Sequence, residues 1–417
     1  MQAGVMRALH IVKTSEGAVW AARLAGVLVK SGVEVHVALP SLRGSAVEMW
    51  KQAGALVHHF DINVSPSTLR SIPAVIKGIR RLVESVRPDL IHTYFVANTV
   101  LLRWALGPSH SIPRVYHVAG PLHLEHGFYR KVDIGSAGGA DFWIGSSRAI
   151  IEKYLAARVP RSRLFLSYFG FESKDTAGRP NGMLRSLVNA AGSDTLVGNV
   201  NLMYPPKRFL GHRVGIKAHE DVIDALSIVC RKNPRTLGVL VGGAWGGAVW
   251  YEKLLRDRAV AAAGDRIRFT GRLPFQVAPM VWSDFSLAVH VPLSENCGGV
   301  IEPLHAGVPV IASRVGGIPE VVMDDSTGWL VPPRQPELLA EKILDVLSDQ
   351  EKRTEYAARG RALIRTMFDL DRTGREVFDI YSYILGHTSL RPVDFDSRAY
   401  LESIANVRHE ELPPSLS

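Results

Sequence analysis

The chain has 417 residues, 47% hydrophobic and 21% charged, with a net charge of +9. That length exceeds one ordinary core and calls for two or three domains of soluble globular class. No run of about 18 apolar residues occurs, which excludes a spanning helix, and two cysteines, Cys230 and Cys297, exclude a disulfide framework. The start, MQAGVMRALHIVKTSEG, has a short apolar core interrupted by Arg7 and reads as a strand rather than a signal peptide. A reducing, cytoplasmic setting is the default. The positive charge points to acidic partners: nucleoside diphosphates, an anionic membrane surface or nucleic acid. A generally basic surface is the plainer explanation.

In chain order, Ala8–Val12 is a short apolar strand, and Ala18–Lys30 has helical spacing until Gly32 stops it. Val33–Leu39 reads as a strand. Ser67–Val86 reads as a helix interrupted near Pro73. Then follow a strand at Leu90–His92, a helix at Thr99–Leu106, strands at Arg114–Val118 and Phe142–Gly145, and a helix at Ser147–Ala157. Loop formers between Gly170 and Ser193 mark a linker. A second series has strands at Thr195–Leu202, Leu237–Val241, Ile267–Thr270, Phe285–Val291 and Val308–Ala312. Its helices are Asp221–Lys232, Trp250–Ala262, Phe275–Trp282, Ile301–Ala306, Pro336–Leu347 and Glu351–Met367. The alternation predicts an α/β fold: two Rossmann-like, doubly wound parallel sheets, 1–180 and 181–370, facing a central cleft. A helix at 371–390 returns to the first half, and 391–417 is an irregular tail.

The chemistry concentrates in Ser294–Glu302, SENCGGVIE. A glycine loop after an apolar strand opens a helix, whose free amides and positive dipole end suit a phosphate or diphosphate. Glu295 and Glu302 flank that loop. Carboxylates are poor phosphate ligands but good acceptors for sugar or ribose hydroxyls, so the stretch reads as a nucleotide-sugar site. Departure of a diphosphate needs a metal or fixed cations and dipoles to take up its growing charge. Lys217, before a helix, is the first cation, with Lys207 and Arg208 next. Their plain reading is solvated charge. Gly298, Gly299 and Val300 supply the amides; a simple strand-to-helix turn is the alternative. Ser146 and Ser147 read as helix caps rather than nucleophiles. Two Asp-x-Asp strings, Asp369–Asp371 and Asp394–Asp396, read as a cap (Asp371) and as tail, not as metal ligands.

With Ile216–Ala225, the two glutamates and Val315–Glu320 on view, the chain resembles glycosyltransferase family 4 from about Ala8 to Leu385. The likeness is strongest over Gly215–Glu320. It implies the GT-B fold and retaining transfer from a nucleoside-diphosphate sugar without a metal cofactor. The first half would be the acceptor domain and the second the donor domain. The acceptor would be a lipid-linked or growing glycan or a small metabolite hydroxyl, with polysaccharide biosynthesis as the setting. Ala218 stands where the family usually has glycine, and six residues separate Glu295 from Glu302 where the family has seven. By resemblance, Glu302 holds ribose hydroxyls and Glu295 contacts the donor sugar. Gly243, in Gly242–Gly247, lines the nucleotide pocket, and Arg272 lies near the base. Gly17 lets the backbone approach the ligand, with Glu16 turned toward the acceptor. One histidine, His117 ahead of His123, supports the sugar; in a chain with 15 histidines each has a structural alternative. Leu69–Arg87 offers peripheral contact with an anionic membrane, against the plainer reading of a helix packed on the sheet. No strand interleaves aromatic and basic residues in the manner of nucleic-acid readers, so no nucleic-acid partner is expected. Two other readings stand: a non-catalytic nucleotide-sugar binding protein, and a nucleotide-sugar epimerase of GT-B shape.

Overall fold

A computed structural model describes residues 5–64, 66–172, 181–274 and 276–410, without the side chains of 66, 209 and 405–410. The chain divides into two compact units: Met1–Glu172 with Thr366–Phe395, and Ser173–Arg365 with Asp396–Ser417.

Unit 1 has seven strands: β1 Arg7–Ile11, β2 Glu34–Leu39, β3 Leu56–His59, β4 Leu90–Thr93, β5 Arg114–Val118, β6 Asp141–Gly145 and β7 Leu164–Leu166. They form one parallel sheet in the order β3-β2-β1-β4-β5-β6-β7. Runs such as Leu9–Val12 are buried because helices cover both faces. The direction of winding reverses between β1 and β4. Unit 2 repeats the design with β8 Thr195–Val200, β9 Thr236–Val241, β10 Ile267–Gly271, β11 Leu287–His290, β12 Val310–Ser313 and β13 Trp329–Val331. Its order is β10-β9-β8-β11-β12-β13, so its reversal falls between β8 and β11. Such a reversal opens a crevice at the carboxyl ends of the strands, where ligands of open parallel sheets bind.

The expected long elements are present, with ends shifted by a few residues. The Ser67–Val86 segment splits into a 3-10 turn, Pro66–Ser71, and an α-helix, Ile72–Val86, with Pro73 in its first turn. Proline is tolerated there because the amide it lacks would have no helical partner. This helix buries Val75, Ile79, Val83 and Val86 in the unit 1 core. Burial of each such side chain is worth roughly 1.5–3 kcal/mol, which favours the packed helix over a membrane-facing one. The segment expected as a helix over Phe275–Trp282 is a 3-10 run, Ala278–Asp284; position 275 lies outside the described residues. So do 173–180, which carry most of the expected linker's loop formers. Between residues 5 and 390, the α-helices and strands absent from the sequence reading are short: helices Ser45–Gln52, Leu122–Glu125, Gly127–Gly135 and Met183–Leu187, the last inside the expected linker, and strands β3, β7 and β13.

The helix Leu370–Ile384 packs on Val19–Lys30 in unit 1. Asp369, not Asp371, caps it: its carboxylate accepts from the Arg372 amide at 2.7 Å. Asp369 is the last extended residue, whereas Asp371 already lies in the first turn. The expected irregular tail instead begins with an ordered strap and a helix. Arg391 lies over the Phe165 ring at 4.5 Å, Asp394 pairs with Arg161 at 2.5 Å, and Ser397–Glu410 is helical.

The unit 1 core carries a stack of buried imidazoles. His10 lies 4.9 Å from His92, and His92 5.5 Å from His117. His10 Nδ1 meets the Tyr94 hydroxyl at 2.7 Å, and His92 Nδ1 meets that of Tyr381. Burial holds His10 and His117 down at about 3, and His92 well below its ordinary value. These rings are neutral when folded, whereas unfolded histidines take up protons below about pH 6.5. Stability is therefore full above that pH and falls as pH drops toward the folded values, by about 1.4 kcal/mol per pH unit for each ring. Urea unfolding followed through unit 1 tryptophans at pH 7.5, 6 and 5 should show this loss, and His117→Phe should flatten it.

Candidate functional site

The unit 2 site is assembled from loops at the carboxyl ends of β8, β9, β10 and β11. Lys217 ends the long β8 loop and Glu295 follows β11, so the two adjacent strands deliver them to the winding reversal. A backbone bond from the Leu293 amide to the Ile216 carbonyl, 2.9 Å, stitches the two loops together. The Lys217 ammonium donates to Glu295 Oε2, and both side chains are largely buried. Burial alone would raise the Glu295 pKa, but the Lys217 charge and the His290 ring outweigh it and hold the carboxyl well below its usual range. It stays ionised at any working pH. The shorter interval between the glutamates still lets Glu295 reach the cation.

Behind this pair sits His290, buried at the end of β11. Its Nε2 lies 3.5 Å from Glu295 Oε2, and its Nδ1 accepts from the Asn201 amide nitrogen at 3.2 Å. Burial lowers its pKa in spite of Glu295. His219, also buried, has no hydrogen-bond partner on either ring nitrogen among the described residues and is held at about 3, chiefly by burial.

The glycine loop opens the helix Gly298–His305 as expected. The amides of Gly298 and Gly299 have no acceptor among the described residues, whereas that of Val300 leans back to the Cys297 carbonyl at 3.4 Å. A Cβ on Gly299 would overlap the His290 ring, so the helix start rests directly on the imidazole. Glu302, one turn in, accepts from the Trp282 indole at 3.1 Å and keeps a second carboxylate oxygen.

Beside the β8 end is a hollow of about 200 Å³ lined by Val200, Asn201, Gly242, Arg272, Leu273 and Ala278. Gly242 has φ +130°, and a side chain there would strike the Asn201 carbonyl, so only glycine keeps this wall. Gly243 lies directly against Arg272. The Tyr204 ring lies 5.0 Å from that of Trp245, tilted by 31°; burial, then Glu295, raises its pKa. Arg208 is exposed and lines a separate hollow of about 250 Å³ with Arg213 and Trp250. Lys207 is half-buried, with its pKa lowered by burial. Among the described residues, neither makes a hydrogen bond or ion pair with Lys217. Among the described residues no three His, Cys, Asp or Glu side chains gather to hold a metal.

In unit 1, the Gly17 backbone is not left-handed; Ala18, at φ 58°, takes that turn. The Glu16 carboxylate accepts from the Ser45 amide at 3.2 Å and its hydroxyl at 3.1 Å, at the start of the helix Ser45–Gln52. His117 is buried, with Nε2 3.1 Å from the Ser167 carbonyl and its ring 4.2 Å from Phe169. His123 Nε2 meets Asp133 at 3.3 Å and the Tyr154 hydroxyl at 3.2 Å. Asp133 also pairs with buried Arg103 at 2.8 Å, so His123 belongs to a buried charge network. Ser147 caps its helix through the Ile150 amide at 3.4 Å.

The sequence reading missed His290, Asn201, Tyr204 and Trp282. For His290 one signal was visible: an imidazole inside the apolar run Phe285–Val291, where a parallel strand buries both faces.

Ala218 precedes the helix His219–Lys232 at φ 49°, ψ 44°, left-handed, fully buried and next to Lys217. An alanine there costs about 1–2 kcal/mol relative to an unstrained backbone. Ala218→Gly should recover about 1 kcal/mol. Guanidinium unfolding of the two proteins would read this as a rise in midpoint at constant slope; a fall would contradict the strain.

The sequence profile of the glycosyl transferases group 1 matches residues 208–363, and that of the glycosyl transferase 4-like domain matches 17–168. The chain is 32% identical over 148 residues to the D-inositol 3-phosphate glycosyltransferase of Corynebacterium efficiens, covering 35% of each. The chain thus spans about a third of the length of that curated relative, and about two fifths of two others. Its fold matches that of Anabaena Alr3699/HepE, solved with UDP-glucose, with a TM-score of 0.73 and 21% identity over 90% of this chain and 99% of that one. A putative UDP-N-acetylglucosamine 2-epimerase from Listeria monocytogenes matches with a TM-score of 0.62 and 17% identity over 94% and 100%. Taken with two parallel sheets and a glycine-started helix beside Lys217 and Glu295, the two matched profiles show that the chain belongs to glycosyltransferase family 4, of two-domain α/β GT-B fold.

Proposed function

We propose that this protein is a retaining hexosyltransferase that moves a sugar from a nucleoside-diphosphate sugar to a hydroxyl acceptor. The observation that carries the reading is the convergence, within unit 2, of Lys217, the open amides of Gly298 and Gly299, and a hollow walled by Gly242 and Arg272. The hollow takes the base, and Glu302 takes the ribose hydroxyls with its free carboxylate oxygen. Lys217 and the two amides take the diphosphate. Fixed dipoles of this kind are worth about 2.7–4 kcal/mol each where charge develops on a leaving group. The neighbour solved with UDP-glucose supports this choice of donor class.

In the free protein Glu295 neutralises Lys217. The incoming diphosphate competes for that ammonium and leaves Glu295 to accept from the sugar hydroxyls. As the C–O bond breaks, negative charge grows on the diphosphate, and Lys217 stabilises it. In this proposal Glu295 is engaged by Lys217 and the sugar hydroxyls, and the acceptor attacks on the face the diphosphate leaves. The cation and amides make the step metal-independent in this proposal. In this proposal unit 1 is the acceptor domain. The acceptor is a lipid-linked or growing glycan, or a small metabolite, reached in the cytoplasm or at the inner membrane surface by peripheral contact. Among the described residues no helix is long and apolar enough to cross a membrane. An epimerase would need an acid or base aimed at a sugar carbon, whereas Glu295 is paired with Lys217 and His290 is buried behind that pair.

Donor hydrolysis in EDTA tests the proposal across UDP and GDP sugars. Wild type should release nucleoside diphosphate slowly, and Lys217→Ala should lower that rate by about 10²–10³. Equal rates would remove Lys217 from the mechanism; binding without release would favour a sugar-nucleotide binding protein. Glu295→Gln should bind UDP more tightly, since Lys217 loses its internal counter-ion, while hydrolysis of the sugar donor falls. Calorimetric titration with UDP alone separates the two effects.

A further inference from the structure

We propose that His290 is a positioning residue: fixed by Asn201 on one side, it presents Nε2–H to Glu295 and supports the amides at the start of the helix Gly298–His305. The proposal rests on the reading of this site as a nucleotide-sugar site.

Three contacts carry it. Asn201 donates to Nδ1 at 3.2 Å, which leaves the proton of the neutral ring on Nε2. That nitrogen is buried, has no hydrogen-bond partner among the described residues, and lies 3.5 Å from Glu295 Oε2. The Gly299 backbone rests against the ring with no room for a Cβ. One imidazole thus touches three parts of the site: the hollow that Asn201 lines, the carboxylate paired with Lys217, and the helix start. The charged groups that bear on the ring are Glu295 and Lys217, with His219 behind them. A cationic ring would compete with Lys217 for Glu295, so the burial that keeps His290 neutral preserves the ion pair.

The arrangement couples occupancy to alignment. A base in the hollow pushes on the Asn201 side chain, and Asn201 holds the ring that orients Glu295. The consequence is selective. Losing the Nε2–H should disturb contact with the sugar, which Glu295 makes, and leave the diphosphate contacts of Lys217 in place.

Two conservative variants separate hydrogen bonding from packing. His290→Gln can place an amide N–H where Nε2 stands, while His290→Leu fills much of the volume without a donor. The Leu variant should lose about tenfold in kcat/KM for UDP-glucose hydrolysis and bind UDP within about twofold of wild type; Gln should recover most of the loss. Leu with wild-type kcat/KM, Gln no better than Leu, or loss of UDP binding in parallel with kcat/KM would each overturn the positioning role. A nitrogen-15 histidine spectrum decides the question even if no nucleotide binds. His290 should appear as the Nε2–H tautomer, lose that preference in Asn201→Ala, and titrate lower in Glu295→Gln because the carboxylate that favours its cation is gone. An Nδ1–H tautomer in wild type, or no change in either variant, would refute the proposal; absence of UDP binding with the expected spectra would refute only the donor-site reading.

Discussion

The Lys217–Glu295 pair is where the unit 2 sheet becomes a site. The residues stand 78 positions apart and meet because β8 and β11 are neighbours at the reversal of winding. Two charges removed from water cost several kcal/mol each unless they find each other and further hydrogen bonds. The bond between the Ile216 and Leu293 backbones and the ring of His290 supply that framework. The pair is strong enough to keep Glu295 ionised and near enough to solvent to open for a competing anion.

The same logic of buried polar groups runs differently through unit 1. There His10, His92 and His117 stack in the core, while Arg103 and Arg114 close on Asp133 and Asp141. His123 and Tyr154 complete that network through Asp133. These groups tie strands and helices together and make the unit sensitive to acid. In unit 2 the polar residues at the strand ends instead leave valences open among the described residues: the Gly298 and Gly299 amides, one oxygen of Glu302, and Nε2 of His290.

Much was legible in the sequence because it was local. Apolar runs such as Ala8–Val12 and Leu237–Val241 marked the principal strands, and helical spacing marked Ala18–Lys30 and Asp221–Lys232. The glycine loop Cys297–Val300 and Lys217 were legible as motif chemistry. Short elements such as Leu164–Leu166 and Trp329–Val331 were not, since so few residues seldom carry enough periodicity to stand out from their surroundings. Assigning the cap to Asp371 instead of Asp369 came from the same limit: the pattern locates a helix but not its first turn.

By itself the sequence determined the α/β alternation, the glycine-started helix and the residue types around it, because strand and helix periodicity and backbone permissiveness depend on neighbours in the chain. Which side chains meet was decided only by the fold. Strand order put Lys217 on Glu295, Asn201 on His290 and Trp282 on Glu302, and it put Arg208 into a different hollow. The physical reason is that a parallel sheet sets side by side the ends of strands distant in sequence, and burial then decides which charges stay paired, which rings stay neutral and which amides remain open.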